Sequence, residues 1–206
     1  MKTQLLLLAL GLGLMSGCAT FGGKTGSQRV VERIPSNEPT WKGKSAWEKK
    51  DALCYAGAVA GRSDMALALR EARAEGEKKV AEQIRQKIRT EFGSAVEGQN
   101  LDNQLGTYVR DLIVKVSENV AVSGVKQSET FVEKVEETTG FGVRYLYNAY
   151  ALLELAKADY LQARKDALDG AVSEARRANN ARAEESLKKA FEKLESGQSA
   201  AGSATR

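Results

Sequence analysis

The stretch "FVEKVEETTGFGVRYLYNAYALLELAK", Phe131 to Lys157, decides how the rest of the chain is read. "TTGFG" (Thr138–Gly142) is a glycine-rich turn signal. "VAVSGVKQSETFVEKVEE" (Val120–Glu137) precedes it, β-branched and partly alternating. "VRYLYNAYALLELAK" (Val143–Lys157) follows, with Tyr145, Tyr147, Ala149, Ala151 and Leu153 spaced for one face of a strand. Two such runs across a short turn predict an antiparallel hairpin.

Working outward, the period changes to that of helices. "LCYAGAVA" (Leu53–Ala60) is apolar, small and bounded by glycine, and predicts another short strand. Ser63 and Asp64 are natural helix caps. A helix is expected from Met65 to Val96, with the stripe Leu69, Ala72, Gly76, Val80, Ile84, Ile88 and Phe92. Ala72 and Gly76 are small enough to let it lie close on a sheet. A second helix is expected from Leu101 to Val116, with Leu105, Tyr108, Leu112 and Val116 on one face. Helical spacing returns from Asp159 to Leu194 and weakens at "RRANNARA". The predicted class is α+β: a small, mainly antiparallel sheet with helices on one face and a long C-terminal helix.

The first residues carry a different signal. Lys2 is followed by "LLLLALGLGL" (Leu5–Leu14), then "MSGC" (Met15–Cys18). This is the basic, apolar and small-residue order of an export signal. The apolar run is too short to span a bilayer, which takes about 20 residues. Met15, Ser16, Gly17 and Cys18 are similar to the bacterial lipobox, in which the cysteine thiol is acylated and the chain is cut just before it. Cys18 is therefore the expected lipidation site. Ala19, rather than Asp, follows it and by analogy favours the outer membrane, with the domain facing the periplasm. The tempting alternative, a phosphate-binding loop in "GGKTGS", fails on spacing. Such a loop needs glycine five positions before Gly23, where Cys18 stands.

The expected organisation is a signal peptide over 1–17, a flexible tether over 18–50, an α+β domain over 51–158, a charged helix over 159–195 and a disordered tail over 196–206. Gly, Ser, Lys and both prolines mark the tether. Within it, Trp41 and Trp47 stand among Lys42, Lys44, Lys49 and Lys50, either as a surface contact or packed on the domain edge. The C-terminal helix reads as a solvated surface helix or a partner-docking arm.

Composition narrows function. The chain has 206 residues, no histidine, two cysteines and a net charge of +4. Lacking histidine, it cannot build a Ser-His-Asp or Cys-His relay, and no metal or cofactor is expected. The cations are spread along the chain rather than clustered, so nucleic acid is not the expected partner. If an enzyme, its candidates are the pair Glu136 and Glu137, which read as solvated at a turn, or Cys54 as nucleophile, which reads as a small buried hydrophobe. With Cys18 acylated, Cys54 has no disulfide partner in the chain.

"PTW" (Pro39–Trp41), "YAGAVAG" (Tyr55–Gly61), "ALALREARAEGEKKVAEQI" (Ala66–Ile84) and "YNAYALLEL" (Tyr147–Leu155) together resemble the LPP-twenty-type bacterial envelope lipoproteins, the Helicobacter membrane-associated lipoprotein type. The resemblance covers about Trp41 to Leu155. It implies a small α+β domain without a known catalytic site, with relatives that support flagellar assembly, and carries over only the lipidated cysteine, Cys18. The expected function is a lipid-anchored, non-enzymatic envelope module that binds a protein partner or itself. The alternative is a module binding peptidoglycan or another envelope glycan through Trp41, Trp47, Tyr145, Tyr147 and Tyr150.

Overall fold

The computed structural model describes residues 24–97 and 99–203, with side chains as far as Ser196. The expected signal peptide and Cys18 lie outside the described residues.

The hairpin forms as its sequence dictates. Strand β4 (Lys126–Thr139) and strand β5 (Gly142–Ala156) pair antiparallel along their length, from Lys126 opposite Glu154 to Thr139 opposite Gly142. Gly140 and Phe141 make the turn. The Thr139 hydroxyl accepts from the Phe141 amide at 3.3 Å and donates to the Gly142 carbonyl at 3.0 Å. Gly142 sits at φ 133°, a conformation that side chains resist. β4 begins at Lys126, later than expected. Val120–Gly124 instead leads in from the preceding helix.

Strand β3 (Ala52–Arg62) pairs with the other edge of β5 and strand β2 (Ala46–Glu48) with β3. Strand β1 (Gln28–Ile34) pairs with β4. The result is a five-stranded antiparallel sheet of order β1-β4-β5-β3-β2. The flexible tether is thereby corrected: Gln28 to Glu48 supplies both edge strands of the sheet. Backbone pairing, not an apolar face, holds β1, every residue of which is exposed.

Helix α1 (Met65–Glu97) starts at Asp64, whose carboxylate accepts from the Leu67 amide at 2.7 Å. It is 33 residues long, about 50 Å at 1.5 Å per residue. Its two halves do different work. Ala68 and Ala72 lie on the sheet against Val132, Ala149 and Ala151, and Gly76 lies on Gly57 and Leu153. Ile84, Ile88, Phe92 and Val96 run on into a helical layer with helix α2 (Asn103–Glu118), helix α3 (Lys157–Arg177) and helix α4 (Ala181–Ser203). Ala68 takes the buried position expected of Leu69, which is half-buried. Val109 and Ile113 join Leu105 and Leu112 beneath α2, leaving Tyr108 and Val116 at the margin.

The single C-terminal helix is corrected to two. Asn179 adopts the left-handed conformation at φ 53°. The Asn180 amide donates to the Ala175 carbonyl and the Asn179 amide to the Arg176 carbonyl, both at 3.0 Å, which closes α3 as a Schellman motif. The Asn180 side chain then accepts from the Ala183 amide at 3.1 Å and caps α4. Ala183, Leu187 and Ala190 of α4 are fully buried in the helical core, so this region is neither a solvated helix nor a free arm. The expected disordered tail is also corrected in part: α4 continues through Ser203, and 204–206 lie outside the described residues.

Candidate functional site

Successive residues of a strand point to opposite faces, so the sheet sorts its side chains. Leu53, Tyr55, Ala151, Leu153 and Leu155 face the helices. Cys54, Ala56, Phe131, Tyr150 and Leu152 face away from them. The segment between β1 and β2 folds over this second face. Trp41, 5% exposed, packs on Cys54, Ala56, Phe131 and Leu152, with Trp47 at the margin. The Trp41 indole N–H donates to Glu129 Oε2 at 2.7 Å, so its one polar atom is satisfied by a carboxylate.

Beside Trp41 lies the one buried carboxylate among the described residues, Glu133, 4% exposed. Lys42 Nζ donates to Glu133 Oε1 at 2.6 Å, Arg33 Nε lies 3.5 Å from the same oxygen, and the Tyr150 hydroxyl donates to Oε2 at 3.4 Å. Glu38 Oε2 stands 3.4 Å from Lys42 Nζ. The Lys42 ammonium also lies 5.3 Å from the ring centres of both Phe131 and Tyr150. Burial pushes the Glu133 carboxyl up, but the Lys42 ammonium and Arg33 guanidinium outweigh it, and it titrates below the usual carboxylate range. Burial works against the Lys42 ammonium too, and Glu133, Tyr150 and Glu38 together more than compensate, so Lys42 titrates higher than usual. The charged form of each is the stable one. The cluster therefore clamps the crossing segment onto the sheet, and both oxygens of Glu133 are already engaged.

The other sequence candidates do not converge. Glu136 and Glu137 lie within β4, not in a solvated turn, and point to opposite faces. Glu136 binds Arg29 at 2.7 Å and Glu137 binds Arg144 at 2.8 Å. They cannot share a proton or a substrate atom. Cys54 is fully buried, and burial raises its thiol, partly opposed by the Lys49 ammonium. A thiol so placed is a poor nucleophile. Of the two readings of the tryptophans, Trp41 takes the packed one, as a core residue rather than a surface contact, while Trp47 is half-buried with Lys44 Nζ 5.5 Å from its ring centre. Tyr145 and Tyr147 share the helix-side face of β5 and Tyr150 the other, so the five aromatics do not form one platform for a sugar.

Among the described residues no group of three His, Cys, Asp or Glu is placed to hold a metal ion. A cleft of about 430 Å³ lies between α2 and α3, floored by Val116, Ala163, Ala167 and Gly170. Its rim ions pair with one another, Glu174 taking Lys115 at 3.4 Å and Arg177 at 3.3 Å. Glu133 was not among the sequence candidates, because the strand reading of "FVEKVEE" does not say which of its glutamates will be buried.

No protein-family model matches the chain, and neither a curated protein nor a solved structure matches it. No described helix is long and apolar enough to cross a membrane.

Proposed function

We propose that this chain is a lipid-anchored module of a bacterial envelope, tied to the outer membrane through acylated Cys18, facing the periplasm and acting by binding a protein partner or itself rather than by catalysis. One observation carries the reading. An apolar run and "MSGC" end at Cys18, and the first strand of a folded domain begins at Gln28, only ten residues later. That is the order an anchor and its cargo require. Acyl chains contribute about 0.8 kcal/mol per buried methylene, so two or three of them hold without a spanning helix. The resemblance of "PTW" and "YAGAVAG" to envelope lipoproteins supports the same reading.

The test is membrane fractionation with mass measurement of the mature N-terminal peptide, comparing wild type with Cys18→Ala. The expected result is an acylated peptide beginning at Cys18 and a membrane-bound protein, with Cys18→Ala released or retained as precursor. A wild-type protein with an unmodified Cys18 thiol would sink the proposal.

A further inference from the structure

Exposed apolar side chains gather at the β4–β5 turn. Among the described residues nine large hydrophobic side chains are exposed: three at the turn and the adjoining end of β5, three on β1, two at the start of α1, and Leu161 on α3. At the turn itself, Phe141 is wholly exposed, Val143 is 55% exposed and Tyr145 49%. Side chains this large are not left in water together without consequence.

The same end receives the chain from Cys18. The Gly26 amide donates to the Thr138 carbonyl at 2.8 Å, and the Thr138 amide to the Ser27 carbonyl at 3.0 Å. Phe141 is three residues further along. The eight residues from Cys18 to Gly26 span at most about 28 Å, whatever their conformation, since a chain advances at most about 3.5 Å per residue. An acylated Cys18 thus keeps Gly26 within about 28 Å of its attachment point in the bilayer.

The two ion pairs nearest the turn are arranged for a bilayer surface. In the pair Arg29–Glu136 the cation's side chain is 73% exposed and the carboxylate's 17%. In Arg144–Glu137 the values are 61% and 13%. Each pair shows its guanidinium outward and keeps its carboxylate against the sheet. A guanidinium so presented suits lipid phosphate.

We propose that the β4–β5 turn is a second membrane contact, in which Phe141, Val143 and Tyr145 enter the headgroup layer and Arg29 and Arg144 meet its phosphates. This rests on the anchor at Cys18. It adds orientation: the turn faces the lipid, while the helical layer and the start of β3 face away. Aromatic side chains with flanking arginines match the apolar and polar depths of that layer.

The test uses the mature protein, extracted from membranes and returned to vesicles of phosphatidylethanolamine and phosphatidylglycerol whose acyl chains carry bromine. Phe141→Trp is compared with Lys50→Trp, an exposed position at the opposite end of the sheet, and with wild type. Expected is a loss of emission in Phe141→Trp equal to roughly one tryptophan's share beyond wild type, and no such loss in Lys50→Trp. The N-terminal peptide mass is measured on the same samples. An acylated protein in which Trp at 141 is quenched no more than Trp at 50 would overturn the contact and leave the anchor standing. An unmodified Cys18 would overturn both. Dimers with an unquenched Trp at 141 would give the turn to a second copy of the chain and likewise overturn the lipid contact.

Discussion

Gly57 of β3 and Gly76 of α1 meet backbone to backbone: a methyl group on Gly57 would stand 2.0 Å from the Ala72 carbonyl oxygen and 2.5 Å from the Gly76 nitrogen. The helix rests directly on the strand here. Gly57→Ala therefore requires helix and sheet to move apart, and is expected to destabilise the domain by about 3 kcal/mol or more, the upper end for overpacking. At Gly76 the close atoms are Leu153 Cδ1 at 2.6 Å and Cγ at 3.1 Å, both of a side chain, and the Gly57 backbone nitrogen stands only at 3.3 Å. Gly76→Ala also gains helix propensity, about 1 kcal/mol. Its net cost is expected to be much smaller. Chemical denaturation of both variants checks the order; equal losses would contradict this account of the crossing.

The Glu133 clamp sets a pH dependence. Its folded-state pKa is depressed, so its contribution is present above the ordinary glutamate value, about 4.3, and is lost as pH falls through the lower folded value. Glu133→Gln leaves Lys42 beside a neutral amide and is expected to cost about 1–3 kcal/mol at pH 7. The difference from wild type is expected to shrink on acidification through that window. Urea midpoints at pH 7 and pH 3 measure it; an undiminished gap at pH 3 would show that shape, not charge, holds the segment.

Cys54 supplies a probe of folding. Buried on the second face of the sheet with a raised thiol pKa, it is expected to resist thiol reagents at pH 8 in the folded protein and to react fully in denaturant. Because Lys49 partly opposes the effect of burial, Lys49→Ala is expected to slow any native-state reaction further. Rapid labelling of the folded chain would count against the packing of Trp41 over this cysteine.

The corner between α3 and α4 predicts an opposite pair of outcomes. Asn179→Gly keeps the left-handed conformation without strain and is expected to be neutral or slightly stabilising. Asn180→Ala removes the cap on α4 and is expected to cost about 1 kcal/mol. Thermal melting of the two variants compares them directly.

Sequence alone disclosed α1 almost to the residue, because its buried positions recur every three or four residues over nine turns' length of helix. It disclosed the hairpin because β4 and β5 alternate about a glycine turn. It concealed β1, whose "QRVVERI" has no core-facing side and is held by backbone bonds and cross-strand pairs such as Arg29–Glu136. The α3–α4 corner was visible only as a weakening at "RRANNARA", since Asn179 and Asn180 terminate a helix by conformation rather than by polarity. The Glu133 cluster was illegible for another reason. Its members come from β1, the crossing segment, β4 and β5, and no local pattern marks a glutamate that will be buried by a lysine ninety-one residues away.

β1 also determines how the domain would bear a load. Consider a pull applied at Gly26 along the strand axis, away from the sheet. The six residue pairs from Gln28–Glu137 to Ile34–Val132 are then sheared together, rather than peeled apart one after another. Arg29–Glu136 and Arg33–Glu133 lie across the same seam. A strand with no buried side chain would in this sense be the mechanical joint of the molecule under such a load: tension applied at Gly26 would enter the fold through the segment that contributes least to the core.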